Sequence, residues 1–146
     1  MRCIGCPTSA DGFAVIPGVG EAGEIRFYCD GCARRDRVKM RYWDGRDLDV
    51  GGWREKPDLG KSFATLVFGF EDVGRMRPED VAPVLGWIED AELGAALSGA
   101  APGIAEKVYA LLPLDRIARV RGATADREGP ATAAARELFA SVVRRL

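Results

Sequence analysis

The feature that most constrains this chain is its set of cysteines. All four lie in the first 32 residues, as Cys3-x-x-Cys6 and Cys29-x-x-Cys32, with 22 residues between the two pairs. A segment this small cannot bury enough apolar surface to fold alone, whereas four thiolates form the complete ligand set of a tetrahedral Zn²⁺ ion. Because four thiolates close the coordination shell, we predict a structural zinc site at these cysteines and not a catalytic one.

The residues between the two cysteine pairs predict a β-hairpin. Residues 12–16 and 25–28 are short runs of strand type, and the turn region at 17–23 contains Pro and several Gly. Gly5 and Gly31 lie inside the pairs and permit the tight backbone turn that each pair needs. The segment resembles a zinc ribbon, although its pairs have the form CIGC and CDGC instead of the usual CPxCG.

Secretion and membrane insertion are not expected. No apolar run approaches the roughly 20 residues of a membrane-spanning helix, and the first residues, MRCIGC, lack the apolar core of a signal peptide. We therefore expect a cytoplasmic location, where disulfides are rare and cysteines stay available for metal. The alternative for the four cysteines is a thiol redox centre.

A basic run follows the second cysteine pair. The alternation over residues 38–43 predicts a third strand with one basic face, which would contact nucleic acid by neutralising phosphates. Residues 1–58 nevertheless hold ten basic and ten acidic side chains, so we favour a solvated strand face over this alternative. The candidate nucleic-acid contacts are Arg34, Arg35, Arg37, Lys39 and Arg41.

The composition argues against an enzyme. The chain of 146 residues contains no histidine, the side chain most used as a general base near neutral pH. The remaining catalytic option is a divalent metal on Asp44, Asp47 and Asp49, which fit turn residues equally well. The net charge of −1 gives no general attraction to nucleic acid or anionic membranes. We therefore predict a non-enzymatic protein.

The second half of the sequence has the periodicity of short helices. Residues 44–58 are rich in Gly and Asp and predict a linker, and a short helix is predicted over residues 59–66. Apolar stripes and the positions of Pro, Gly and Asp predict five further helices. They run from an Asp80 N-cap to Glu89, from Asp90 to Gly99, from Pro102 to Pro113, from an Asp115 N-cap to Gly122, and from Pro130 to Leu146, the last burying Ala134, Leu138, Val142 and Leu146.

This series of segments resembles a known family. Residues 59–146 are similar to the C-terminal domain of FliG, the rotor protein of the flagellar motor switch complex. The run RPEDVAPVLGWIEDAELGAALSGA at 77–100 is similar to the family's DDRSIQRVLREVDSEDLALALKGA. The segment AEKVYALL, the Gly129-Pro130 step and the closing VVRRL follow in the family's order.

The resemblance also gives a meaning to the sequence VFGFED. Glycine is unfavourable inside a helix, so the Phe-Gly-Phe step predicts a joint. In the FliG family a Met-Phe-x-Phe hinge leads into a six-helix domain. The matching hinge residues here are Val67, Phe68, Gly69 and Phe70, with Val in place of Met.

Departures from the family limit the role that the resemblance implies. In FliG a row of charged side chains on one helix faces the membrane-bound stator. The family's lysine in ALKGA is Ser98 here, an arginine falls at Asp115, an acidic pair falls at residues 122–123, and a later arginine becomes Thr132. We therefore expect an adaptor and not a torque-generating rotor. The candidate charged interaction face consists of Asp115, Arg116, Arg119, Arg121, Asp126, Arg127 and Glu128.

These observations predict an α+β chain. A zinc ribbon with a small antiparallel sheet occupies residues 1–43, a linker 44–58, and an all-α bundle of short helices similar to the FliG C-terminal domain 59–146. We predict a non-enzymatic adaptor that binds protein partners in a flagellar or other motility-related assembly, with structural Zn²⁺ as its cofactor. The alternative is a zinc-ribbon regulator that binds nucleic acid.

Overall fold

A computed structural model of the chain describes residues 1–17, 23–48 and 68–146. The chain divides into two compact units, Met1–Phe68 and Gly69–Leu146. The first contains a small antiparallel sheet and the second contains helices, so the predicted α+β class is confirmed. The predicted helix over 59–66, most of the predicted linker, Val67 and Asp49 lie outside the described residues.

The sheet of the first unit has three antiparallel strands. Strands β1 (Gly12–Ile16) and β2 (Glu24–Tyr28) form the predicted hairpin, and β3 (Arg41–Tyr42) pairs with the other edge of β1. Gly12 pairs with residues of both neighbouring strands, and a Cβ there would lie 2.0 Å from the carbonyl oxygen of Arg41. Glycine at this position is therefore what lets β3 approach β1 so closely.

The predicted third strand over residues 38–43 is wrong for most of its length. The backbone after Cys29 first forms helix α1 (Asp30–Arg35), then reverses at Arg37, whose φ is 52°. Only Arg41 and Tyr42 join the sheet. The carbonyl of Met40 instead accepts a hydrogen bond from the N–H of Leu48 at 2.8 Å. The alternating sequence therefore reflects the burial of Met40 and not a regular strand.

The second unit consists of a short 3₁₀ helix and five α-helices. The 3₁₀ helix spans Phe70–Arg75, and the α-helices agree with the predicted number and order. They are α2 (Pro78–Leu85), α3 (Asp90–Leu97), α4 (Pro102–Leu111), α5 (Leu114–Ala123) and α6 (Thr132–Arg145).

The boundaries of α2 differ from the prediction. The helix begins at Pro78 with Arg77 as its N-cap, and not after Asp80. Proline suits the first helical position because its φ is preset and its missing N–H has no partner to lose there. The Nε atom of Arg77 also donates to Asp80 Oδ2 at 2.8 Å. Pro83 consequently lies inside the helix, which ends at Leu85 instead of Glu89.

The last two helices also begin at other residues than predicted. Helix α5 starts at Leu114 with Pro113 as N-cap, which leaves Asp115 in its first turn. Helix α6 starts at Thr132 and buries Ala135, Phe139, Ala140 and Val143, so the predicted stripe of Ala134, Leu138 and Val142 is one residue out of register. Phe139 is fully buried and packs edge-on against Phe70, with ring centroids 5.4 Å apart.

Three cations from later helices bind the carbonyl ends of earlier ones. Lys107 on α4 donates to the end of the 3₁₀ helix, Arg116 on α5 to the end of α2, and Arg136 on α6 to the end of α3, at 2.5–3.0 Å. The last carbonyls of a helix have no partner within it. These side chains supply the missing donors and join helices that are distant in sequence.

Candidate functional site

The four cysteines come together in the first unit. Their sulfur atoms all lie within 4.8 Å of one another, and Cys6 Sγ is 3.6 Å from Cys29 Sγ. A tetrahedral zinc ion with Zn–S bonds of about 2.3 Å would separate its sulfurs by about 3.8 Å. Four cysteines this close together can bind a metal ion. Among the described residues, no other group of three or more His, Cys, Asp or Glu side chains is close enough together to bind one metal ion.

Local backbone geometry positions each cysteine pair. In the first pair, the N–H of Gly5 donates to Cys3 Sγ at 3.4 Å, and in the second the N–H of Cys32 donates to Cys29 Sγ at 3.4 Å. The second contact also caps α1 at its N-terminus. The N–H of Ile4 donates to the carbonyl of Phe27 at 2.8 Å, which ties the first pair to β2.

The environment of the sulfurs moves their pKa values in opposite directions. A hydrogen bond with the Thr8 hydroxyl lowers the pKa of Cys6 to about 6, and the backbone N–H of Cys32 lowers the pKa of Cys29. Hydrogen bonding with Cys6, followed by burial, raises the pKa of Cys32 to about 12. A metal ion that takes all four thiolates must displace the protons that these sulfurs hold.

The residues of the predicted hinge pack into different units. The ring of Phe68 belongs to an aromatic cluster of the first unit with Phe13, Phe27 and Trp43, at centroid distances of 5.5–6.3 Å. Phe70 packs within the second unit. Gly69 separates them, and its N–H donates to Asp72 Oδ2 at 2.9 Å at the start of the 3₁₀ helix. The residues Phe68 and Gly69 therefore stand at the boundary of the two units.

The predicted nucleic-acid contacts do not share one strand face. Arg34 and Arg35 lie on α1 and pair with Asp30 and Asp36, both at 2.7 Å. Arg37 lies in the turn after α1 and Lys39 in the segment before β3. Arg41 is 5% exposed and pairs with Asp47 at 2.8 Å, so its charge is directed inward.

The candidate charged interaction face is partly occupied by internal pairs. Arg116 and Arg119 both bind Asp90, at 2.6 and 2.5 Å, and the guanidinium of Arg121 lies 5.0 Å from the centre of the Tyr109 ring. Asp115 lies on α5, while Asp126, Arg127 and Glu128 lie in the segment between α5 and α6. All four are exposed, and Glu128 pairs with Arg136 at 2.5 Å.

A comparison with protein-family models identifies the second half of the chain. Residues 54–146 match the model of the FliG C-terminal domain. The chain belongs to this family. No curated protein matches the chain. The FliG C-terminal domain is a non-enzymatic component of the flagellar motor switch, and membership indicates a protein-interaction role related to that assembly. No described helix is both long enough and apolar enough to cross a membrane.

Ser98 and Thr132, where the resemblance to FliG implied charged residues, have buried hydroxyls here. Ser98 is 3% exposed, and its Oγ donates to the carbonyl of Gly94 and accepts from the N–H of Ala125, both at 3.0 Å. Thr132 is also 3% exposed and accepts from the N–H of Gly129 at 2.9 Å. Both side chains satisfy backbone groups inside the FliG-type unit and present no charge to its surface.

Sequence reasoning missed the three helix-end cations and the contact between Phe70 and Phe139. Arg116 was predicted only as part of an interaction face, and Lys107 and Arg136 were not singled out. A basic residue on a later helix carries no signal of which carbonyl it will reach. Only the packing of the helices brings these donors to their acceptors.

Proposed function

We propose that this chain is a non-enzymatic adaptor that joins a structural zinc ribbon to a FliG-type protein-interaction domain. The proposed domains are residues 1–43 and 59–146, with a linker at 44–58. The observation that carries the proposal is the FliG family match over residues 54–146 in a chain whose first unit holds four clustered cysteines. We further propose a cytoplasmic location, in keeping with the flagellar switch to which the family belongs.

Zinc is the proposed metal because of the ligand set. Four thiolates around a closed tetrahedral shell are typical of structural zinc, and the buried Cys3 and Cys32 would become part of the core of the first unit. Elemental analysis of the purified full chain should find about one zinc per chain. Folded protein with almost no zinc, or with a different metal, would refute this part of the proposal.

The FliG-type unit is proposed to bind a partner without transmitting torque. Ser98 and Thr132 stand at two of the charged positions of the family, and both hydroxyls are used inside the unit. Arg116 and Arg119 are directed to Asp90. Fewer charges are therefore available here for a contact of the kind that FliG makes with a stator, which argues against torque transmission and for a binding role alone.

The adaptor role is tested with the full chain as bait in its host. We expect tagged protein to retain a component of a motility or motor assembly, and a deletion strain to show impaired motility. A matched bait with Asp115→Arg and Arg121→Glu tests whether the exposed part of α5 makes the contact. The proposed role in a motility assembly would be refuted if repeated pull-downs retained no partner and the deletion strain showed normal motility.

Nucleic-acid binding remains the second candidate, through Arg34, Arg35, Arg37 and Lys39. It is less favoured, because Arg34 and Arg35 already pair with carboxylates and Arg41 is buried. Titration of the full chain with duplex and single-stranded DNA and RNA decides the matter. Binding that weakens steeply as salt increases would support it, and no binding at low salt would end it.

A further inference from the structure

A positive charge stands beside the sulfur cluster. A Cβ atom built on Gly5 would lie 3.0 Å from Arg35 Nη2 and 3.0 Å from Cys32 Sγ. The guanidinium nitrogen and the sulfur therefore flank the same point and are at most 6.0 Å apart. Arg35 is not a neighbour of the first cysteine pair in sequence, so this approach is a product of the fold.

Two features direct Arg35 toward the sulfur cluster. Its Nε and Nη2 atoms donate to the two carboxylate oxygens of Asp36, at 2.7 and 3.2 Å. Arg35 also ends α1, the helix that is capped by Cys29 and contains Cys32. The helix thus places the Arg35 backbone close to two of the candidate ligands, and 61% of the Arg35 side chain remains exposed.

We propose that Arg35 is a positioning residue of the metal centre. Its positive charge helps to retain the metal by offsetting the negative charge of the four-thiolate centre. Zn²⁺ bound by four thiolates carries a net charge of −2, and a guanidinium nitrogen within 6.0 Å of one sulfur stabilises that dianion, even though Asp36 shares the guanidinium. The guanidinium suits this task because it is always protonated. The inference rests on the proposed zinc binding and goes beyond it by assigning a role to a residue that is not a ligand.

Gly5 makes this arrangement possible. Its missing side chain leaves the space in which the guanidinium approaches the first cysteine pair, and a methyl group there would be in tight contact with Arg35 Nη2. The nitrogen lies at the end of a flexible side chain, so Gly5→Ala would push Arg35 aside more readily than it would move the backbone. The same methyl group would also lie 3.0 Å from Cys32 Sγ, a candidate ligand, so Gly5→Ala would disturb the sulfur cluster too, and the role of Arg35 is tested by changing Arg35 itself.

The experiment measures zinc affinity of the full reduced chain by competition with a chromophoric chelator at neutral pH. Arg35→Gln should weaken zinc binding about three- to tenfold, the range expected for one partly exposed charge near a dianion. Arg35→Lys should retain most of the affinity, because the charge is kept. Arg34→Gln is the matched control, with the same charge change on the same helix, and should bind zinc as the wild type does.

Two further readouts separate a charge effect from a folding defect. The difference between wild type and Arg35→Gln should shrink as the salt concentration is raised, because salt screens exposed charges. Cobalt(II) loaded into Arg35→Gln should still give the absorption spectrum of a tetrahedral four-thiolate site, which confirms that the centre has assembled. A lost cobalt spectrum together with lost zinc binding would overturn the proposal, since Arg35 would then be needed for folding.

The outcomes also distinguish this inference from the proposed function. If wild-type protein binds zinc and Arg35→Gln binds it equally tightly, only the role of Arg35 is overturned. If Arg34→Gln weakens zinc binding as much as Arg35→Gln, the effect belongs to the overall charge and the specific role is again overturned. If wild-type protein binds no zinc, the structural zinc site and the role of Arg35 both fail.

Discussion

In the unit Met1–Phe68, two of the four cysteines, Cys3 and Cys32, belong to the buried core, beside Met40 and Leu48. In the unit Gly69–Leu146 the core consists of aliphatic and aromatic side chains from helices, among them Leu93, Val108 and Phe139. The first unit thus combines a sulfur cluster with its apolar core, and we expect its sheet to depend on a bound metal. The second has enough apolar surface to be stable by packing.

The two units also satisfy their backbone ends differently. In the first, thiol sulfurs accept the N–H groups of Gly5 and Cys32. In the second, Lys107, Arg116 and Arg136 donate to the carbonyl ends of helices. One unit thus uses the sulfurs of its candidate metal ligands as hydrogen-bond acceptors, whereas the other uses long cationic side chains as donors. The difference implies that the two units should respond independently to metal removal and to core substitutions.

Metal removal should produce the largest difference between the units. Chelation of the reduced full chain, or the substitution Cys29→Ser, should unfold the sheet and leave the helices intact, because structural zinc contributes about 10–16 kcal/mol of binding energy to small domains. Amide hydrogen exchange measures this: protection of β1 and β2 should vanish while that of α3 and α6 persists. Added zinc should restore the chelated sample, and parallel loss of protection in the helices would contradict the comparison.

Phe139→Ala should have the opposite effect. The side chain is fully buried against Phe70, and such truncations cost about 3–5 kcal/mol through lost burial and the cavity left behind. Denaturant unfolding followed by far-ultraviolet circular dichroism should give a lower midpoint for the helices, with unchanged metal content. Leu114→Ala is the control, because Leu114 is 86% exposed and its truncation should change stability little.

Ser98→Lys tests whether this unit can hold the lysine that the resemblance to FliG implied at this position. The Ser98 side chain is buried and bonded to Gly94 and Ala125, so a lysine there would lose both bonds and place its charge near apolar groups. We expect a loss of about 2–3 kcal/mol in the free energy of unfolding. Ala110→Lys, at an exposed position of α4, should be nearly neutral. Equal stability of the two variants would mean that the unit still accommodates the charge.

Asp90→Asn should have a smaller effect that depends on pH. Hydrogen bonds from Arg119 and then Arg116 lower the pKa of Asp90, so its carboxylate stabilises the folded state at pH values above its unfolded pKa of about 3.9. This contribution is lost as the pH falls through the lower folded pKa. The stability difference between wild type and variant should be constant from about pH 5 to 7 and shrink below about pH 4.

Urea unfolding at a series of pH values measures the Asp90 effect. Asp115→Asn removes only the second, exposed partner of Arg119 and should give a smaller difference. A difference between wild type and Asp90→Asn that grew toward acid pH would contradict the assignment of this ion pair.

Several elements could be predicted from local sequence alone. The β1–β2 hairpin follows from two strand-type runs around a Gly- and Pro-rich turn, and the helices of the second unit follow from apolar periodicity and breakers. The starts of α2 and α5 were missed because Asp80 and Asp115 are good capping residues, while Pro78 and the residue after Pro113 were the actual first positions. When two residues could each cap a helix, local sequence does not decide between them. The helix then begins at the earlier residue if tertiary packing stabilises the additional turn.

The sequence by itself determined which residues could form the metal centre and which family the helical half resembles. Cysteine spacing and an ordered series of helical segments are properties of the chain, and short-range chemistry is enough to interpret them. The tertiary structure decided what depends on contacts between distant residues: Arg35 beside the first cysteine pair, Arg116 at the end of α2, and Phe139 against Phe70. These contacts join positions far apart in the chain, where no local pattern records the partner.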